Sequence, residues 1–357
     1  MDEQHLETAV PLLNAGYDML LEKPFAPNEQ EMREIVDCAK KNGSKVMICH
    51  VLRYTPFYYA IKERVYNGEI GDIINIQQTE HVSYHHLSTS YVRGKWANSK
   101  KCHTSMLLAK SCHDMDIMMW MMSATKPTQI ASFGSKFQFK PENAPEGAGT
   151  ICMKDCPYVD TCVYSTKRLY IDHPDRWAFY VWDALEGKEN PTIEDKIELM
   201  KSDSPYARCI YKCDNDVVDH QSVLINFASG ATGTLNMIGG SAEPRRDIHI
   251  IGTKGEIFGN FEESKFTVLK IDPSPEAHHE ECDVEEVDLK VTGDMVGAYG
   301  GHGGGDERLA ADFVKFIRGE KPSLACTSIF DSVAGHLCVY LADNSRENGG
   351  IPQEVKL

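Results

Sequence analysis

The chain has 357 residues, of which 42% are hydrophobic and 25% charged, and a formal charge of −16 at pH 7. Such an acidic surface repels phosphate backbones and anionic lipid, which argues against nucleic-acid and membrane partners, and no apolar run reaches the ~20 residues of a membrane helix. Twelve cysteines behind an N-terminus with no basic or apolar leader are expected to be reduced thiols of a cytoplasmic protein, not a disulfide framework.

Leu6, Val10 and Leu13 repeat at helical spacing and predict a helix over 4–14, stopped at Gly16. Residues 17–21 read as a short buried strand. Asn28 as N-cap and Glu31 three residues on open a second helix, which Asn42-Gly43 ends. Residues 45–51 read as another buried strand. This α-β-α-β rhythm is that of a doubly wound parallel sheet, of which two strands are only a part. From Pro56 the pattern changes: a helix over 57–66, a strand over 73–81, and a long helix over 106–122. Strands follow over 128–139, 220–228, 231–239, 246–251, 256–261 and 265–271, then helices over 306–318 and 328–344. Short turns such as Ser229-Gly230 and Thr253-Lys254-Gly255 predict a mainly antiparallel sheet. The expected division is 1–53 and 54–357, with a cysteine-rich insert over 141–216.

Several groups of residues carry chemical types. Glu22-Lys23-Pro24 directly follows an apolar strand, and ligands of open parallel sheets sit beyond the carboxyl ends of their strands. Pro24 restricts its neighbour and admits a cis bond; the alternative is a solvated lysine in a turn. On the long helix, Lys110, His113 and Asp116 are spaced by three and share a face. A histidine of near-neutral pKa suits the proton of an alcohol under oxidation, with Asp116 to orient it; the alternative is a buried structural histidine. Met115, Met118, Met119 and Met122 read as core filler. Tyr84, Arg93 and Trp96 supply an aromatic face and forked donors suited to a polyol, and Arg176, with Tyr170, His173 and Trp177, forms a second such group. His302 precedes three glycines, which permit close backbone approach. Cys152-x3-Cys156-x5-Cys162 and Cys209-x3-Cys213 lack the paired spacing of strong zinc motifs. No metal is expected, and Cys152, Cys156, Cys162 and Cys213 are the candidates if zinc is bound.

The run Tyr17-Asp18-Met19-Leu20-Leu21-Glu22-Lys23-Pro24 after a helix opening at Asp2-Glu3-Gln4-His5, the helix with Cys112-His113-Asp114-Met115-Asp116, and Gly252-Thr253-Lys254-Gly255-Glu256 together resemble the Gfo/Idh/MocA family of oxidoreductases (glucose–fructose oxidoreductase, inositol dehydrogenase and relatives). The resemblance implies an α/β fold: the remnant of a Rossmann sheet, then an α+β domain with a large, mainly antiparallel open sheet. It implies NAD or NADP as cofactor, met by His5, Glu22, Lys23 and Pro24. It implies a sugar or cyclitol substrate handled by Lys23, His113 and Lys110, with Tyr84, Arg93, Trp96, Arg176 and His302 as contacts, and a homo-oligomer built through the sheet. His113 matches the histidine of the family's D-x-x-x-H helix, but Ala109 stands where the aspartate commonly stands, with Lys110 beside it. The family's G-x-G-x-x-G turn has no match here, and 301–306 does not have that spacing. The expectation is a truncated chain or misassigned start that binds a dinucleotide poorly. Two other readings remain: a glycosidase of the same family that oxidises transiently on retained NAD, and a non-catalytic binding or assembly protein.

Overall fold

The computed structural model describes residues 2–173, 176–278, 281–289 and 304–357. Helix α1 (His5–Asn14), strand β1 (Met19–Leu21), helix α2 (Glu29–Asn42) and strand β2 (Val46–Ile48) open the chain. Asn28 caps α2 as its spacing predicts: its side chain accepts from the Glu31 amide and donates to the Glu31 carboxylate. The two strands pair in parallel from Met19↔Val46 to Leu21↔Ile48. The helices bury Leu13, Met32 and Ile35 against this small sheet. Its far side is closed by the end of the chain. The Ile48 amide donates to the Thr327 carbonyl at 3.0 Å, and Ile329 and Leu337 of helix α6 (Ile329–Glu347) complete the same apolar cluster.

The larger part is a nine-stranded sheet, ordered β10-β9-β8-β7-β3-β6-β5-β4-β11. Its strands are β3 (Ile73–Ser83), β4 (Pro127–Ser135), β5 (His220–Phe227), β6 (Thr232–Ser241), β7 (Arg245–Gly252), β8 (Gly255–Asn260), β9 (Lys265–Ile271), β10 (Cys282–Asp288) and β11 (Gln353–Glu354). Neighbours are antiparallel except β3 and β6, which run parallel. The inner face alternates as a half-buried sheet must: Ile76 and Val82 of β3, Leu235 and Met237 of β6 and Ile250 of β7 are buried, while Gln77 and Leu224 face outward. Helix α3 (Pro56–Tyr66) and the predicted long helix, α4 (Met106–Met121), cover the inner face. Every residue of α4 but Lys110 is buried. Gly233 lets α4 lie close to the sheet: a Cβ there would stand 2.7 Å from Met118 Sδ. Helix α5 (Gly305–Arg318) and α6 close the structure.

Two strands lay outside the sequence reading. β10 is polar and solvent-facing, with no apolar alternation, and is held by backbone pairing to the sheet edge from Cys282↔Ile271 to Asp288↔Lys265. β11 has only two residues. No described helix is long and apolar enough to cross a membrane.

The core makes a direct prediction. Leu235 is fully buried at the centre of the sheet, so Leu235→Ala should lower unfolding stability by about 2–5 kcal/mol in urea titration; a loss below about 1 kcal/mol would mean that the inner face is not packed this way.

Candidate active site

The carboxyl ends of β1 and β2 carry Glu22-Lys23-Pro24 and Cys49-His50. The Lys23–Pro24 bond is cis. The turn is clamped from both sides. His5 Nδ1–H donates to the Pro24 carbonyl at 3.0 Å. From α6, His336 Nε2 accepts the Phe25 amide at 3.2 Å, and the Tyr340 hydroxyl donates to the Ala26 carbonyl at 2.7 Å. Glu22 is exposed and accepts from the Lys23 amide; with burial, it pushes the Cys49 thiol well up. Lys23 is half-buried and pairs with no carboxylate among the described residues.

Three histidines gather behind this turn. His113 on α4 is 8% exposed. Its ring lies edge-on to His50, centroids 6.0 Å apart, and His50 lies 5.7 Å from His336. Burial holds His50 well below its ordinary pKa, helped by the positive charges of Arg53 and Lys23. Burial, then the neighbouring His50, depresses His336 to about 3. The positive charge of Lys23 also reaches His86. Lys23, at the end of a strand of the small sheet, and His113, on the helix that covers the large one, therefore border the same group of side chains. Asp116 does not take the part its spacing suggests. Both its oxygens accept from Arg53, at 2.7 and 2.6 Å, and its other neighbour is His50 Nε2 at 3.5 Å.

Lys110 corrects a second expectation. Its ammonium is not open to a ligand but sits 2.9 Å from Glu80 Oε1. Glu80 Oε2 is 2.6 Å from Arg246 Nε, which is also 3.0 Å from Asp114 Oδ1. Burial raises Asp114 to about 6, opposed mainly by Arg246, and burial lowers Lys110. The sequence reading missed Glu80, Arg246, His50 and His336. Two signals were available. Glu80 shares the inward face of β3 with Ile76 and Val82, so it is a charge on an apolar face; and His50 lies just past a buried strand, as Lys23 does.

An aromatic ring borders His86. His86 stacks on Trp177 at 3.6 Å and Trp177 on Tyr180 at 5.5 Å; Tyr180 meets Trp96 edge-on at 6.4 Å, Trp96 stacks on Tyr91 at 5.7 Å, and Tyr91 returns to His86 at 5.6 Å. Trp96 thus belongs to an aromatic wall that includes His86. Arg176 lies over the Tyr84 ring at 5.9 Å. Arg93 is elsewhere. It is 3% exposed, and its guanidinium donates to the carbonyls of Arg208 and Tyr164 at 2.9 and 2.8 Å, so it anchors the insert and is not placed to meet a ligand. His302 lies outside the described residues. Among the described residues no three His, Cys, Asp or Glu side chains are arranged to hold a metal ion. Of the zinc candidates, Cys213 is drawn aside, its thiol donating to the Cys209 carbonyl at 3.3 Å.

Comparison with known proteins accords with this architecture. Residues 62–328 match the C-terminal alpha/beta domain, and residues 1–50 the NAD-binding Rossmann fold, of one oxidoreductase family. YteT of Bacillus subtilis, named as an oxidoreductase, is 26% identical over 316 residues, 87% of this chain and 69% of its own. Inositol 2-dehydrogenase of Salmonella typhimurium is 25% identical over 123 residues, 34% of this chain and 33% of its own. Among solved structures, levoglucosan dehydrogenase in complex with NADH and levoglucosan superposes with a TM-score of 0.66 at 17% identity, covering 100% of this chain and 78% of that one. An oxidoreductase domain protein from Kribbella flavida gives 0.65 at 16% identity, covering 99% and 78%.

His336 yields a pH prediction. Its Nε2 accepts a backbone N–H and its Nδ1–H donates to the Ser332 carbonyl, so the native chain holds it neutral. Its folded pKa, about 3, lies below the ordinary 6.5. The unfolded chain therefore binds a proton that the native chain refuses, and stability present above pH 6.5 is lost as pH falls towards 3, by up to about 1.4 kcal/mol per pH unit. His336→Gln should flatten that slope in urea titrations at pH 7 and 5; an unchanged slope would refute the assignment.

Proposed function

Given that this chain belongs to the Gfo/Idh/MocA oxidoreductase family, we propose that it acts on a carbinol of a sugar, cyclitol or sugar-derived molecule, removing or restoring a carbon-bound hydrogen together with the hydroxyl proton. The observation that carries this reading is the shared neighbourhood of Lys23 and His113 around the buried His50. The residues present fit the reacting end of a nicotinamide dinucleotide. Lys23 follows β1 at the crevice edge, and the buried His50 Nδ1 has no hydrogen-bond partner among the described residues. Glu22, Lys23, Pro24 and His5 would hold that end, and the bound dinucleotide supplies the hydride acceptor. His113 accepts the hydroxyl proton, and the Lys23 ammonium holds the carbinol oxygen and favours its negative charge as the proton leaves. Lys110 acts on this pair only through Glu80, which neutralises it. The aromatic wall of Trp96, Tyr91, Trp177 and Tyr180 gives a sugar ring an apolar face, with Tyr84 and Arg176 beside it.

In this reading residues 1–53 bring the cofactor end and 54–357 the substrate end of one crevice. Copies of the chain meet through the outer face of the large sheet, where Phe133, Leu224, Ile238 and Phe258 are exposed at 66, 50, 39 and 41%.

Calorimetric titration with NAD and NADP, followed by oxidation assays over a panel of sugars and cyclitols at saturating cofactor, tests the proposal. Turnover is expected. Lys23→Met and His113→Asn should each lower kcat by about 10²–10⁴-fold while the thermal midpoint stays within a few degrees. No turnover with any substrate, or full activity in both variants, would reject the reading.

A further inference from the structure

The insert buries a lysine in its own core. Lys196 lies on the helix Ile193–Leu199 and is 1% exposed. Leu169, Tyr170, Ala178, Val181 and Met200 form a separate apolar cluster there. A charge in such a place costs free energy that a methionine of similar length would not. The Lys196 ammonium donates to the Ala178 carbonyl at 3.0 Å and stands 4.5 Å from the centre of the Trp182 ring. It has no carboxylate partner among the described residues. Asp195, on the same helix, is bound to Lys188 and to the Thr192 amide. Lys167 pairs with Asp160, and Arg168 donates to the Thr161 carbonyl. Asp183, at the end of the helix Phe179–Asp183, and the Tyr170 hydroxyl act on Tyr206, whereas Lys196 is perturbed by burial alone.

The bond to Ala178 is placed where it has leverage. Ala178 follows Trp177, a bulky residue with a left-handed backbone at φ 60°, a conformation that persists only where surrounding contacts impose it. The Trp177 carbonyl accepts the Tyr180 amide at 3.3 Å, and the Ala178 carbonyl accepts the Val181 amide at 3.2 Å. One turn therefore aims both Trp177 and Tyr180. Their rings lie within 7° of parallel, and Trp177 stacks on His86 at 3.6 Å. Lys196 thus ties the core of the insert to the part of the aromatic wall that meets His86.

We propose that Lys196 is a positioning residue for the substrate: its ammonium, held on the Ala178 carbonyl, keeps Trp177 and Tyr180 packed against His86 in the shape that receives a sugar ring. The inference rests on the reading of that wall as the apolar face for a sugar, and it adds a pH dependence. Burial lowers Lys196 to about 8. Above that pH the neutral amine can still donate, but the charge-assisted and cation–π parts of its hold are gone, and the wall loosens. Folding responds in the opposite sense. The folded value lies below the ordinary 10.5, so between the two the unfolded chain binds more protons and the contribution of this group to stability rises with pH. A loss of substrate affinity above pH 8 from this source is therefore not a loss of fold.

The test compares the full-length wild type with Lys196→Met at saturating cofactor, at pH 7 and 9. At pH 7 the variant should raise the sugar KM roughly tenfold with kcat within about twofold, the signature of lost uniform binding. From pH 7 to 9 the wild-type KM should rise by a similar factor, and that of Lys196→Met should stay flat. The thermal midpoint of the variant should not fall, because a buried charge without a counter-charge has been removed. Tryptophan emission gives a readout independent of turnover, taken in a Trp182→Phe background that removes the ring beside the ammonium. A change with its midpoint near pH 8 should be lost both in Lys196→Met and in Trp177→Phe. A change at Trp120, where Lys62 titrates in the same range, survives in both and is subtracted. If Lys196→Met does not fold by circular dichroism, the pH profiles of KM and emission in the wild type and Trp177→Phe decide. An unchanged KM in Lys196→Met, a lower kcat together with a lower thermal midpoint, or a Lys196-dependent emission change that Trp177→Phe retains would each overturn the proposal. Absence of sugar or cyclitol turnover in the wild type would strike the carbinol reading instead, and the emission experiment then decides on Lys196.

Discussion

The structure depends on one constraint: α4 is buried almost all round, yet carries His113, Asp114 and Asp116. Charges in such a place must be answered within the protein. Asp116 is answered by Arg53 through two hydrogen bonds, and Asp114 by Arg246, which in turn shares Glu80 with Lys110. Removing one partner of such a pair leaves an uncompensated buried charge and costs about 3–5 kcal/mol. These pairs tie α4 to the segment after β2, through Arg53, and to β3 and β7, through Glu80 and Arg246. The helix that presents His113 is thereby held in rotation and depth by electrostatics, while its methionines fill the remaining volume without fixing either.

The second tie runs through α6. This helix packs on α4 and β4 of the large part and on α2 and β2 of the small part. It also supplies His336 and Tyr340 to the turn after Lys23. The position of Lys23 relative to His113 is therefore set by one helix that touches both, and not by the short connection at 49–55 alone. A substitution in α6 far from any ligand would act on the crevice through this route.

Much of this was legible in the sequence where a local rule and a burial pattern agree. The Asn28 cap, the short parallel strands and the alternating strands of the large sheet appear close to where periodicity puts them. β10 was not legible because its residues are chosen for solvent and its pairing is backbone only. Lys23 and His113 could be singled out because strand ends and helix spacing point to them. Side-chain partners could not: Lys110, His113 and Asp116 share a helix face by spacing, yet Lys110 and Asp116 answer charges brought from β3 and from 51–54, which only the tertiary fold supplies. Arg93 is the clearest case, since a forked donor in a loop reads as a ligand contact until the insert closes over it.

The distribution of charge within the crevice then separates two lysines that look alike in sequence. Lys110 faces Glu80 at 2.9 Å, with Arg246 competing for the same carboxylate, so moving its ammonium towards a ligand would leave Glu80 to Arg246 alone and cost the pair. Lys23 has no such bond to break among the described residues. It stands half-buried at a strand end, beside histidines that burial and its own charge keep neutral. A neutral imidazole can take a proton, and a cation next to it lowers the cost of the negative oxygen left behind. The arrangement therefore sets the Lys23 ammonium beside buried imidazoles. The Lys110–Glu80–Arg246–Asp114 chain provides the fixed frame around them.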